Sequence, residues 1–400
     1  MRKLEKLLLT GIAAVCLSGF STEAAKVPGH PGMEKANPAA KKDSSRSIED
    51  VRFIGSEILP NEFTYKDTVA GGFSGVTYNP KNHKWLLLSD DRSDLNPARF
   101  YSAKLNYNAR DFQNVQLTDV TYLKQPDGTL YPNRDQYLSG ADGVIPDPES
   151  IRFDPEEGHI WYTSEGDRSL GFNPYIHQAA LDGRYLSETP VNETIKMNNQ
   201  TNKGFQNNLA LEASTFSADG QTYWTAMEGP LIQDDTLPTP DSGALSRMTQ
   251  YDRDGNLLAE YAYPIDAIPE APGEGMHADN GVTEILSINE HEFLVLERSS
   301  VQDDNGDYSN YVRIYKVDIS GATDIKTMES IKEKNLIPAK KELIVDVNTL
   351  DLNKVDNIEG MTWGKQLPNG HDSLVLVSDN NFNDTQITQF IALEVIPEDE

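Results

Sequence analysis

Pro148-Glu149-Ser150-Ile151-Arg152-Phe153-Asp154-Pro155-Glu156-Glu157-Gly158-His159-Ile160-Trp161-Tyr162-Thr163-Ser164-Glu165 reads as two short strands joined by a turn. Ile151 and Phe153 alternate with polar neighbours, residues 154–158 supply the turn, and residues 160–163 are rich in types that suit a pleated strand. A carboxylate stands at each end, Glu149 leading and Glu165 closing. The pattern recurs. Residues 74–78 lead through Asn79-Pro80 to 85–90, and residues 212–216 lead through Asp219-Gly220 to 223–228. Residues 284–288 lead to 293–297, and residues 359–363 lead through Asn369-Gly370 to 374–379. In three copies the leading and closing positions lie 16 residues apart (74 to 90, 149 to 165, 212 to 228). The fourth copy, 284 to 297, is shorter, and the fifth, 359 to 379, is longer, as a changed turn length allows.

The leading column is therefore Ser74, Glu149, Glu212, Glu284 and Glu359, with steps of 75, 63, 72 and 75 residues. A period of that size with strand content throughout is larger than a hairpin and suits a propeller blade of four strands, innermost first. The fold class expected is all-β, a β-propeller of five blades, with six as the alternative. A sixth blade would have to come from residues 125–147 or 321–340, and neither stretch alternates. Outer strands are expected at 100–105 and 116–123, at 175–181 and 191–197, at 247–252 and 257–263, and at 311–319 and 342–347. Blade five has 388–396 and borrows 51–59, so the N-terminal strand closes the ring.

The chain opens with a short basic region and a mostly apolar run over residues 7–20. Thr22-Glu23-Ala24 then offers small residues where signal peptidase reads. This predicts a signal peptide at 1–24, a flexible tether at 25–50, one propeller domain at 51–400, and export to the periplasm or the medium. The apolar run is too short to span a membrane. Lipid attachment at Cys16, the one cysteine, fits poorly because Val15 stands where a small residue is wanted. Cleavage would leave no thiol for a disulfide, a nucleophile or a thiolate metal site. A formal charge of −28 argues against nucleic acid as a partner, since a phosphate backbone needs a basic surface. A small anionic substrate would need a locally positive pocket within that field. Nothing in the sequence calls for more than a monomer.

Leading and closing residues sit at the same end of a hairpin, so the ring should gather them at one mouth of the central channel. Glu149, Glu165, Glu212, Glu228, Glu284, Glu297, Glu359 and Asp379 are the expected oxygen ligands of a hard divalent cation, calcium first. Blade one, led by Ser74, contributes Asp90, Asp91 and Arg92 instead. Arg92, Arg168 and Arg298 could grip an anionic oxygen. The expected catalytic set is Asp90, Asp91, Arg92, Glu149, Glu212, Glu284, Arg298 and Glu359. A plainer reading stands beside it: polar residues at blade ends also bond the backbone of the next blade. Asp303-Asp304-Asn305-Gly306-Asp307 spaces oxygens like a calcium loop, but Tyr308 stands where glycine is needed, so it reads as a hairpin turn. His277 reads as a solvated loop histidine. The absence of a Gly-X-Ser-X-Gly elbow, a Walker loop or a His-Glu-X-X-His motif argues against a serine hydrolase, an NTPase and a zinc enzyme.

Several of these segments together resemble the phytase-like domain family, described as having esterase-like activity. They are 72–76 with 89–92, 147–151, 280–284 with 296–298, and 357–361 with 378–382. The resemblance extends over about residues 50–396 and implies an exported propeller whose repeated acids serve phosphoester hydrolysis. Asn207-Asn208-Leu209-Ala210-Leu211-Glu212-Ala213 departs from the family pattern of an Arg and a Gly beside the Glu, so no arginine is expected from blade three. The function expected is a calcium-assisted hydrolase of a phosphate ester, monoester or diester. The alternatives are a non-catalytic binding or scaffold propeller of the cell envelope and a lactonase-like calcium propeller.

Overall fold

Short strands of β-branched and aromatic residues, each followed by a polar turn, satisfy their backbone groups by pairing with the next strand in the chain. The computed structural model describes residues 46–332 and 334–398, and these contain five antiparallel four-stranded sheets. The expected signal peptide, Cys16 and most of the tether lie outside the described residues. The innermost strands are Phe73–Asn79, Pro148–Phe153, Leu211–Phe216, Ala278–Ser287 and Ile358–Trp363. Each packs on the next and the last packs on the first, which closes a five-bladed propeller. No helix among the described residues is long and apolar enough to cross a membrane.

Closure falls to the N-terminal strand. Asp50–Leu59 pairs antiparallel with Thr388–Ile396 at the rim of blade five, and this removes the free edge that strand would otherwise expose. The packed domain begins earlier than residue 51. Ile48 is fully buried, Glu49 N donates to Ile396 O at 2.9 Å, and Arg46 N donates to Ile288 O at 3.1 Å. A separate apolar cluster fills each gap between neighbouring blades. Trp161 meets Tyr223 across one gap with ring centroids 4.7 Å apart, and Trp224 meets Phe293 across another at 4.8 Å.

The outer strand of blade two is Tyr185–Thr189, not residues 191–197. Gly183 adopts φ +80 and turns the chain back directly after Tyr175–Ala179, so the sheet is complete before Val191 is reached. Val191 and Ile195, freed from the sheet, are buried between blades two and three. Their apolar character marks burial without marking a strand. Residues 125–147 hold a short helix, Arg134–Leu138, whose Asn133 and Gln136 form a capping box.

Every innermost strand carries a register shift at its mouth end, and the residues inside the shifts include Ser74, Glu149, Glu212, Thr283 and Glu359. A bulge re-aims its side chain, which makes these the equivalent positions of the five blades. In blade four the position is Thr283, one residue before the expected Glu284. Gly75, Ser150, Ala213 and Gly360 follow in the other blades, where space is tight: a Cβ on Gly75 would lie 2.6 Å from Glu149 O. Glu284 alone puts a long side chain there.

Three residues beyond Glu149, Arg152 is buried on the channel axis. Its Nε donates to Ser214 O at 2.6 Å and its Nη1 to Val76 O at 2.8 Å and Ile151 O at 3.1 Å. Its Nη2 donates to Ile285 O and Met361 O, each at 3.2 Å. These carbonyls occupy one position, two residues past the bulge, in each of the five blades. An arginine has five N–H donors. One side chain thus ties together all five innermost strands, and Glu284 Oε2 balances its charge at 2.6 Å.

Candidate functional site at the propeller mouth

At the bulged end of the inner strands lies a cavity of about 960 Å³. Asp90, Glu149, Glu165, Glu212, Glu228, Glu359 and Asp379 line it, together with Asp91, Arg92 and Arg298. Of the expected site residues, Glu284 and Glu297 do not line it. The one-residue shift in blade four is the reason, because a side chain one position along a strand points to the other face. Glu284 faces the axis, where Oε1 accepts from Ser214 N at 3.1 Å and Ile285 N at 3.0 Å. Glu297 turns between strands, accepting from Tyr263 Oη and Lys341 Nζ, each at 2.5 Å. Arg298 takes its place at the mouth. Arg168 also points elsewhere, donating to Lys203 O and Phe205 O.

Asp91 reaches the mouth but its oxygens are already engaged. Oδ1 accepts from the backbone N–H of Asp94 at 2.8 Å and Leu95 at 3.0 Å; Oδ2 accepts from Asn96 N at 2.8 Å and Arg99 Nη1 at 2.6 Å. It staples a loop, and the catalytic role expected of it is withdrawn. Asp91→Ala is expected to cost about 2–3 kcal/mol, since it strips the fully buried Arg99 of its carboxylate and three N–H groups of their acceptor. Urea unfolding measures this. A loss under about 0.5 kcal/mol, the range of an ordinary surface change, would contradict it.

The mouth has two unlike halves that meet at Glu228. On one side Arg298 Nη2 lies 3.2 Å from Glu359 and 3.4 Å from Glu228, and Nη1 lies 3.1 Å from Asp279. Burial opposes the charge of this guanidinium, but Asp279, Glu228 and Glu359 outweigh it and hold the arginine ionised. On the other side the carboxylates face one another. Asp147, Glu149 and Glu165 bring one oxygen each within 4.8 Å of one another, and Glu165, Glu212 and Glu228 do the same. Glu165 belongs to both groups. Glu212 Oε2 and Asp90 Oδ1 are buried without a hydrogen-bond partner among the described residues. All donors are oxygen, and a buried carboxylate oxygen left bare is costly unless a cation or proton sits on it. These residues fit a hard divalent cation.

Burial, reinforced by the neighbouring carboxylates, pushes Asp90, Glu149, Glu165, Glu212 and Asp379 well above the ordinary carboxylate range. Burial also raises Asp147 to about 7 against the pull of Arg92, and Glu228 to about 8 against the pull of Arg298. A carboxyl raised in the folded state binds a proton there that the unfolded chain has already lost. Stability contributed by that proton is present at low pH and fades as pH climbs from the unfolded pKa through the folded one. In the presence of a chelator, stability is therefore expected to fall between about pH 5 and about pH 8, by up to about 1.4 kcal/mol per pH unit for each such group. Added calcium should flatten the slope. Melting curves across that range test it, and a chelated protein whose stability rises with pH would contradict it.

Asp147, Asp279 and Thr283 are site or ring residues that sequence reasoning did not pick out. Asp147 sits two residues before the leading Glu149, a signal that was available; Thr283 carries no charge and had none. His277 is an exposed rim residue whose Nε2 lies 2.9 Å from Asp279 Oδ2. Residues 303–307 are a hairpin turn, with Asp303 N bonded to Asp307 O at 2.9 Å. A third acidic group, Asp154 with Glu157 and His159, lies at the far turn of blade two, where Arg253 is paired with Asp154.

A family model described as "Phytase-like: Esterase-like activity of phytase" matches residues 68–382. No curated protein matches the chain. Among solved structures, a thermostable family-43 glycoside hydrolase aligns at a TM-score of 0.36 and 11% identity, covering 84% of this chain and 94% of that one. The catalytic domain of a Coprinopsis cinerea GH62 alpha-L-arabinofuranosidase aligns at 0.31 and 10% identity, covering 88% and 98%.

Proposed function

From a chain that belongs to the phytase-like family, we propose a hydrolase of phosphate esters that works at this mouth with a divalent cation, calcium by preference. The observation that carries the reading is the pairing of a bare acidic half, with Glu212 Oε2 unpartnered, and an opposing half built on Arg298. Asp147, Glu149, Glu165, Glu212 and Glu228 would hold the cation, which when bound supplies positive charge to the ester oxygen and to the attacking water.

The chain's own groups do the rest. Arg298 has an unpartnered Nε, and Arg92, held between Asp147 at 3.5 Å and Asp167 at 2.9 Å, is partly exposed. Both can grip an anionic oxygen in the direction that charge grows during the reaction. Burial, reinforced by Asp379 beside it, raises the affinity of Asp90 for a proton, which suits Asp90 to protonate the departing oxygen. The signal read at residues 1–24 would have the protein act after export, in the periplasm or outside the cell.

The test is hydrolysis of 4-nitrophenyl phosphate, bis(4-nitrophenyl) phosphate and 4-nitrophenyl acetate by the purified protein, in calcium and in EDTA. Calcium-dependent release from a phosphate ester is expected. Turnover of none, with any divalent metal, would leave a binding propeller as the better reading.

A further inference from the structure

On the blade-one side the mouth adjoins a second cavity of about 690 Å³, and Asp94 and Leu95 line both. This shared wall is held stiffly. Asp91 accepts from three consecutive backbone N–H groups of the loop, the Ser93 hydroxyl accepts from Ala98 N at 3.1 Å, and Ser93 itself sits at φ +61. Leu95 stands on the wall 53% exposed, and Leu130, 43% exposed, lines the second cavity with Pro132, Thr129 and Gln136. Two bare leucines at a cavity that borders a polar site offer apolar area to whatever part of a ligand extends there.

Charge decides what that part can be. Thirteen carboxylates line the mouth against Arg92, Arg298 and Lys354, and Lys354 is already paired with Asp356 at 2.8 Å. The second cavity adds Asp127 and Asp142, and no arginine or lysine lines it among the described residues. A cation or two at the mouth could offset one phosphate, but nothing is left for a second or third. A diester carries one negative charge where a monoester carries up to two.

Resting on the hydrolase reading, we infer that the substrate is a phosphodiester with an uncharged organic arm lodged in the second cavity against Leu95 and Leu130, and not a multiply phosphorylated compound. The arm leaves as the alcohol. Water oxygen bonds to phosphorus, and the bond from phosphorus to the arm's oxygen breaks. One water proton ends on the released alcohol and the other on the phosphomonoester.

Kinetics on bis(4-nitrophenyl) phosphate, with inositol hexakisphosphate as the polyanionic comparison, test this. Leu95→Ser and Leu130→Ser are each expected to raise KM for the diester by about tenfold with kcat nearly kept. Leu186→Ser, an exposed leucine on the outer strand of blade two, should leave KM unchanged. Wild type should also prefer the diester to inositol hexakisphosphate by at least about tenfold in kcat/KM. Melting curves with and without calcium check that the leucine variants are folded and still respond to the ion. A diester KM unmoved by both leucine variants, or faster turnover of the polyphosphate, overturns the inference while the hydrolase reading stands. Absence of turnover on both substrates while 4-nitrophenyl phosphate is hydrolysed overturns this inference alone; absence on all of them, with any divalent metal, brings down the hydrolase reading as well.

Discussion

Arg152→Met should lower the unfolding free energy by about 3–5 kcal/mol, the cost of breaking a buried ion pair by removing one partner. The arginine is nearly inaccessible, and its loss leaves Glu284 buried with no cation 2.6 Å away. Burial already lifts the Glu284 carboxyl to about 7 even with Arg152 pulling it down, so without the arginine it would have to bind a proton. The equivalent carbonyls of all five blades lose their shared donor in the same step. Since a domain's total stability is about 5–15 kcal/mol, the variant should unfold at much lower urea, read by the fluorescence of the buried Trp85, Trp161 and Trp224. The double variant Arg152→Met/Glu284→Leu separates charge from tethering. It should recover part of the loss, because removing both members of a buried pair is far milder than removing one. A single variant that loses less than about 1 kcal/mol would mean water or neighbouring groups replace the arginine, and the axial tie would be unimportant.

That tie is invisible in the sequence. Arg152 reads there as one polar residue alternating between Ile151 and Phe153, pointing away from a core. Only ring closure turns that side of the strand into an axis lined by carbonyls from distant segments. The repeat itself was legible, since five hairpins with acids at both ends recur at near-constant spacing. The blade count and the closing strand follow from it. Blade four shows where such reading fails. Glu284 and Glu297 match the columns by charge, whereas the bulge lies at Thr283 and the closing position is Arg298. A bulge adds one residue without altering composition, and strands have a period of two, so a slip of one exchanges mouth for axis. Asp91 misleads for another reason. An acid at a blade end can serve a substrate or its own loop, and only its hydrogen bonds tell which.

Glu165→Gln should abolish most of the protein's response to calcium. Glu165 alone is shared by the two groups of oxygens at the mouth, so its charge bears on a cation in either. Glutamine keeps the shape and can still accept the bond from Ala210 N that Glu165 accepts. What disappears is attraction for the cation, by at least about a hundredfold in affinity, given that groups merely orienting a ligand are worth 10- to 100-fold. In wild type, calcium at a hundred times its Kd should add about 2.7 kcal/mol of stability. The variant at the same concentration should show well under half of that and little calcium-dependent hydrolysis. In EDTA near neutral pH the order should reverse, with Glu165→Gln more stable than wild type, because burial and the neighbouring Glu228 and Asp147 make Glu165 take up a proton that glutamine does not need. Glu284→Gln supplies the contrast: it sits on the axis with Arg152, so it should lower stability yet keep the full calcium shift. Should calcium protect Glu165→Gln as well as wild type, the mouth acids do not hold the ion. Loss of the shift in Glu284→Gln alone would instead move the site down the channel to the arginine.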